Sequence, residues 1–457
     1  MAKSMKLDVL VAEIGSTTTL VNAFHDLDTN PRWLGQGQAA TMVKQGNVCL
    51  GLEAAVDDLS RQLGVEEITW GDFLATSSAA GGLSMSVHGL VYEMTVKAAQ
   101  AAALGAGAVI RHTTAGKLSP FDIDDMRALN LKLILLSGGT DYGERETAVY
   151  NARAIIDADL KVPVIYAGNV QNRRLIESMF KEAQIPIYVT ENVYPHLDEL
   201  NIEPARRIIQ KVFAEHIVRA PGMEHISSLV SAPILPTPGA VMEAARSLYE
   251  IYGDLAVLDV GGATTDVHSV TPGCESMALI ATGPEPMAKR TVEGDLGLYV
   301  NARNLVDMLG VQALQDELHI DVEEVMNAYE PIPKTPRQLA LTERLGLEAA
   351  LTALKRHCGV LRHLYTPGGR RSVAEGKDLT QLRYLVATGG ALTRLPGRKQ
   401  IMRRVGDCNA AGQMLYPAPG KIEMLYDENY ILASLGVLGQ HYPQAADKLL
   451  RSCLRPQ

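Results

Sequence analysis

Cysteine is scarce in this 457-residue chain: Cys49, Cys274, Cys358, Cys408 and Cys453 lie far apart and form no C-x-x-C pair. That excludes a disulfide framework and a structural zinc site. No long apolar run is present either. The longest small-apolar tract, Ala98 to Ile110, is broken by Gln100 and two glycines and is too short to span a bilayer. The N-terminal apolar stretch is short and reads as a strand, so no signal peptide is expected and a cytoplasmic location is. Basic runs are missing, and 43 Lys and Arg against 52 Asp and Glu leave a net charge of −9. Neither nucleic acid nor an anionic membrane is therefore an expected partner. The common catalytic and phosphate signatures are absent too: no G-x-x-x-x-G-K-[S/T], no G-x-G-x-x-G after a strand, no H-E-x-x-H and no G-x-S-x-G.

What the chain does have is 40 glycines, and four apolar runs that end in glycine-rich turns. Leu7–Ile14 leads into Gly15-Ser16-Thr17-Thr18 and a second apolar run, the pattern of a β-hairpin. Leu131–Leu136 leads into Ser137-Gly138-Gly139-Thr140, Leu255–Val260 into Gly261-Gly262-Ala263-Thr264-Thr265-Asp266, and Tyr384–Thr388 into Gly389-Gly390-Ala391. Amphipathic helices lie between them, for example the stripe Val48, Leu52, Val56, Leu59 and Leu63. Strands alternating with helices specify an α/β protein. Residues 120–190 alternate as a unit of their own, and residues 301–365 read as helical. The hairpin-plus-glycine pattern in both halves points to a duplicated core.

A strand–Gly-Gly junction serves either a tight turn with close packing or a phosphate site. Glycines let backbone N–H groups wrap phosphate oxygens, and Ser/Thr hydroxyls add donors without bulk. Glu13 and Asp259, each just ahead of its loop, set a carboxylate where a hydrated Mg²⁺ would sit. Other features stay open between structure and function: the Ser137-Gly138-Gly139 loop, Glu293 and Asp295 around Gly294, and the His357-Cys358 pair with His363.

Glu13-x-Gly15-Ser16-Thr17-Thr18, then Asp259-x-Gly261-Gly262-x-Thr264-Thr265-Asp266, then Leu385-Val386-Ala387-Thr388-Gly389-Gly390-Ala391 resemble the phosphate-1, phosphate-2 and adenosine motifs of the actin, heat-shock chaperone and sugar kinase superfamily. Pro236-Thr237-Pro238-Gly239 and Ala433-x-x-Gly436 match its two connectors. The motifs cover both ends and the middle, leaving residues 95–200 and 301–380 outside. Within the superfamily the chain resembles the glutamate mutase accessory family, called GlmL or MutL, through Val11–Thr19, Leu136–Gly143 and Thr291–Gly297.

The resemblance implies two actin-like (ribonuclease H-like) lobes around a nucleotide cleft. Lobe I is expected from 1–94 with 205–254, an inserted α/β subdomain from 95–204, lobe II from 255–300 with 381–457, and a helical insertion at 301–380. It implies ATP or ADP held by Gly15, Ser16, Thr17, Thr18, Gly261, Gly262, Ala263 and Thr264, with Gly389, Gly390 and Ala391 at the adenosine. Glu13, Asp259 and Asp266 would hold Mg²⁺ through water, and Glu13 and Asp259 would serve catalysis. The implied function is reactivation of an adenosylcobalamin-dependent mutase by a slow ATPase. The alternative is a small-molecule kinase or hydantoinase-like enzyme. Two departures matter: Glu13 replaces the usual aspartate, and Leu235 stands where the heat-shock chaperones carry an acid that orients the attacking water.

Overall fold

A computed structural model describes residues 4–15, 18–41, 48–78, 83–217, 224–366 and 369–454. The chain divides into two units, Met1–Ala244 with Ala433–Leu449, and Ala245–Leu432 with Leu450–Gln457.

In the first unit the apolar run of residues 7–14 forms the central strand. β1 (Ser4–Ile14) pairs antiparallel with β2 (Thr18–His25), which pairs antiparallel with β3 (Arg32–Ala40). Leu7, Val9, Leu10, Val11, Ala12 and Ile14 are all fully buried, the signature of a strand covered on both faces. The helix Val48–Leu63 buries Val48, Leu52, Ala55 and Leu59, with Val56 and Leu63 at the edge of the same stripe. β4 (Glu67–Ser77) then returns parallel to β1.

A second, all-parallel sheet follows before the first resumes. It contains β5 (Ser84–Gly89), β6 (Val109–Ala115), β7 (Leu133–Leu136), β8 (Val164–Tyr166) and β9 (Ile187–Val189) in the order β6-β5-β7-β8-β9. This is a doubly wound order with its switch point between β5 and β7. The sheet starts at Ser84, ahead of the expected boundary at 95, because β5 supplies the strand that β6 and β7 flank. The small-apolar tract becomes the helix Lys97–Gly105, its Ala98, Ala99, Ala102 and Ala103 buried. β10 (Leu235–Pro236) then pairs parallel with β4 and completes the first sheet as β3-β2-β1-β4-β10.

The second unit repeats that plan. β11 (Leu255–Val260), β12 (Thr265–Val270) and β13 (Ala288–Glu293) are antiparallel neighbours. Between them and the rest of the sheet, the helices Ala302–Leu309, Val311–Leu318, Val322–Asn327 and Pro336–His357 form the helical insertion. Helix does not continue to 365. Cys358 is extended (φ −76, ψ 144) and Gly369 sits at φ 110, a value no helix accepts. The stretch instead forms a hairpin of β14 (Val360–Thr366) and β15 (Gly369–Glu375). β16 (Tyr384–Thr388) and β17 (Glu423–Tyr426) run parallel to β11, giving β13-β12-β11-β16-β17.

Both sheets thus share one order and one sequence of senses: two antiparallel strands, the central strand, two parallel strands. The protein is α/β with two ribonuclease H-like lobes, an inserted α/β sheet and a helical insertion. The penultimate segment belongs with the first unit, not with lobe II as expected. Its helix Leu432–His441 crosses the helix Thr237–Tyr252 so closely that a Cβ on Gly436 would lie 2.7 Å from the Ala240 carbonyl carbon. Ser434 accepts from Asn22 Nδ2 at 2.9 Å, and the Tyr442 hydroxyl donates to Asp72. No helix among the described residues is long and apolar enough to cross a membrane.

Candidate functional site

The β1–β2 turn closes through Gly15 N–H donating to Thr18 O at 2.9 Å, and a Cβ on Gly15 would lie 2.6 Å from that oxygen. Ser16 and Thr17 lie outside the described residues. The β11–β12 turn closes the same way, Gly261 N–H donating to Thr264 O at 3.0 Å. Register makes the strands that flank the two turns equivalent. Glu13 pairs with Leu20 and Asp259 with Asp266 across their hairpins, and on the parallel side Glu13 faces Thr76 as Asp259 faces Thr388. Glu13 is buried and Asp259 half-buried.

The second turn is polarised. Its carbonyls are taken by the segment after β13: Leu298 N–H donates to Gly261 O (3.1 Å), and Tyr299 and Val300 N–H donate to Gly262 O (2.8 and 2.9 Å). Gly297 approaches so closely that a Cβ there would lie 2.8 Å from the Ala263 Cα. The N–H groups of Gly262, Ala263 and Thr264 donate to no protein acceptor among the described residues, and Gly262 and Ala263 are exposed. A loop with its acceptors spent and its donors free is a receptor for anionic oxygens.

Asp259 lies among carboxylates. Burial first, then neighbouring Asp266, and to a smaller extent Asp427, push its carboxyl up to about 7 against the opposing charge of Arg290. Arg290 is committed elsewhere: its Nε and Nη2 both donate to Asp266 Oδ1, at 2.9 and 2.6 Å. Thr264 Oγ1 donates to Asp266 Oδ2 at 2.9 Å. Asp266, expected among the Mg²⁺ residues, thus has Oδ1 paired with Arg290 and Oδ2 bonded to Thr264, contacts that brace the turn. Asp259 is the carboxylate short of positive charge. Among the described residues no group of three or more His, Cys, Asp and Glu side chains is placed to hold a metal ion directly. Attachment through metal-bound water is the mode that one or two carboxylates suit.

The adenosine-motif loop abuts this carboxylate. Gly389 has φ 82, and a Cβ on it would collide with Asp259 Oδ1 and lie 2.6 Å from Val260 N. Gly390 is exposed, and a Cβ there would meet nothing within 4 Å. Ala391 is buried behind them. Asp427 fixes the loop. Its Oδ2 accepts from Thr388 Oγ1 (2.9 Å) and Leu432 N–H (3.0 Å), and its Oδ1 from Ile431 N–H (2.9 Å). Burial raises its carboxyl, and these hydrogen bonds oppose the rise. The available signal was an acid shortly before a helix, whose first N–H groups need an acceptor; the helix begins five residues on, at Leu432.

The other open features resolve as structure. Ser137 Oγ donates to His88 O and Thr95 O, at 3.0 and 3.3 Å. Asn192 Nδ2 donates to Gly139 O and Asp141 Oδ1, both at 3.0 Å, and Asp141 Oδ1 accepts from Val170 N–H. A Cβ on Gly138 would lie 3.1 Å from Ala148, and one on Gly139 2.7 Å from Glu144 O. These contacts hold the loop in place, and Gly138 and Gly139 are buried. Glu293 and Asp295 both take Arg356, whose hydrogen bonds hold the Asp295 carboxyl below the usual range. His357 bridges Thr291 Oγ1 and Ser269 Oγ, and the Cys358 thiol donates to backbone carbonyls.

The chain matches the family described as MutL protein over residues 9–454. It is 36% identical to Protein MutL of Clostridium tetanomorphum over 460 residues, 97% of this chain and 98% of that one. Among solved structures, nucleotide-free acetone carboxylase is similar at TM-score 0.42 and 12% identity, covering 96% of this chain and 70% of that one. Component A of (R)-2-hydroxyglutaryl-CoA dehydratase from Acidaminococcus fermentans is similar at TM-score 0.32 and 8% identity, covering 96% and 99%.

Proposed function

The chain belongs to the MutL protein family, and from that premise we propose that it is an ATP-binding, slowly hydrolysing accessory protein that reactivates or protects an adenosylcobalamin-dependent mutase of the glutamate mutase type. The observation that carries the nucleotide part is the polarised Gly261–Thr264 turn, its carbonyls engaged and the N–H groups of Gly262, Ala263 and Thr264 without a protein acceptor among the described residues. Gly261, Gly262, Ala263 and Thr264, with the equivalent Gly15–Thr18 turn, bind phosphate oxygens in this reading. Gly390 gives the adenosine an approach that no side chain blocks. The residues present fit Mg²⁺: Asp259 is an under-compensated carboxylate with Asp266 and Arg290 neutralising each other beside it, and Glu13 holds the matching position on β1. Bound Mg²⁺ would supply charge neutralisation on the phosphates.

Hydrolysis is slow in this account because Leu235 is buried, apolar and located where an acid would orient water. Slow chemistry suits a switch, which needs only that its nucleotide states differ in partner affinity. The mutase as client is the family resemblance carried over to this chain. The test is calorimetric titration of MgATP, with ATPase activity measured with and without an adenosylcobalamin mutase. Tight binding with a slow rate that the mutase changes supports the proposal. Rapid phosphorylation of a small metabolite with no mutase present would replace it with the kinase reading.

A further inference from the structure

We propose that Thr237 positions the attacking water, its hydroxyl oxygen standing in for the acid missing at Leu235; this rests on the ATP-hydrolysing reading above. Glu13 on β1, Thr76 on β4 and Leu235 on β10 are register partners across three adjacent strands, one residue deep at the end that carries the phosphate-type turn. The equivalent row in the second unit is Asp259 and Thr388, with Asp427 directly after β17. There the Thr388 hydroxyl donates to the carboxylate at 2.9 Å. In the first unit the carboxylate is missing and the hydrogen bond is different: Thr237 Oγ1 donates to Thr76 Oγ1 at 3.3 Å.

A hydroxyl has one proton and two lone pairs. Thr237 spends its proton on Thr76, which is fully buried, while Thr237 itself is half-buried. Its oxygen is left as an acceptor, the role a carboxylate plays toward a water O–H. The backbone around it is stiff. Pro236 and Pro238 flank it with fixed φ, and the Ala106–Gly107 turn is wedged against it. A Cβ on Gly107 would lie 2.7 Å from Pro236 Cβ and 2.9 Å from Gly239 N. Such a group orients the attacking oxygen without having to be reorganised for the reaction.

In the hydrolysis this serves, the water oxygen bonds to the terminal phosphorus as the bridging P–O bond breaks. The bond pair leaves with ADP, and the water proton passes to the released phosphate. A threonine hydroxyl accepts a hydrogen bond from that water but does not take its proton at neutral pH, in keeping with a slow rate.

The test compares wild type, Thr237→Val and Thr237→Ser by single-turnover hydrolysis, with MgATP affinity by calorimetry on the same samples. Val keeps the shape and removes the acceptor, so the rate should fall about tenfold with affinity within about twofold, and Ser should restore it. A merely structural threonine would lower affinity and melting temperature together. Thr76→Val, which frees the Thr237 proton, should also slow hydrolysis and serves if Thr237→Val misfolds. Unchanged rates in both Val variants, with MgATP bound, overturn the assignment and leave the nucleotide reading intact; wild type that binds no MgATP overturns both.

Discussion

Gly389 and Gly390 are adjacent, yet opposite outcomes are expected when each gains a side chain. At Gly389 the backbone has φ 82, which costs an L-residue on the order of 1–2 kcal/mol. A Cβ there also lies 2.6 and 2.7 Å from Val260 N and O, which are backbone and cannot step aside. Gly389→Ala should therefore destabilise the protein by several times that strain. At Gly390 the protein offers no obstacle within 4 Å. Gly390→Val should change stability by no more than about 0.5 kcal/mol, as surface substitutions do. If the adenosine approaches the Gly390 backbone, the same valine occupies its place, and affinity should fall at least about 100-fold, roughly 2.8 kcal/mol. The assay is isothermal titration with MgATP, paired with a thermal melt of each variant. A Gly390→Val protein that melts like wild type and binds ATP unchanged would refute the adenosine assignment, since misfolding could not be blamed.

Three further outcomes are expected. Asp266→Asn leaves the Arg290 charge buried without its counter-ion and should cost about 3–5 kcal/mol in urea unfolding; a loss below about 1 kcal/mol would mean the pair does not hold the turn. Because the Asp259 carboxyl is raised to about 7, protons compete with the cation below that pH. Apparent Mg²⁺ affinity should fall toward tenfold per pH unit as pH drops below 7 and level off above it; Asp259→Asn should flatten the profile, and an unchanged slope would contradict the role. Gly436→Val forces apart two helices in backbone contact and should lower the melting temperature by more than a surface substitution in the same helix.

The sequence made the duplicated hairpins legible because glycine and an adjacent carboxylate recur at fixed spacing, and both turns close through the same hydrogen bond. The helix crossing at Gly436 was legible for a similar reason: a small residue at that position has little use except close approach. The pairing of Asp266 with Arg290 was not legible, because Arg290 sits on a different strand and only sheet register brings the two together. The Ser137 loop stayed ambiguous for the same kind of reason. What braces it comes from Asn169 and Asn192, contributed by later loops of the parallel sheet. The 360–375 hairpin was read as helix because leucines continue past His357, while the extended backbone at Cys358 leaves no local mark.

The claim that nucleotide turnover drives recovery of a mutase is tested most directly by reactivation itself. An inactivated adenosylcobalamin mutase is incubated with wild type and ATP, with wild type and a non-hydrolysable ATP analogue, and with Asp259→Asn and ATP. The account predicts recovery in the first, and little in the other two despite retained nucleotide binding. Equal recovery in all three, or none with wild type and ATP, would contradict it.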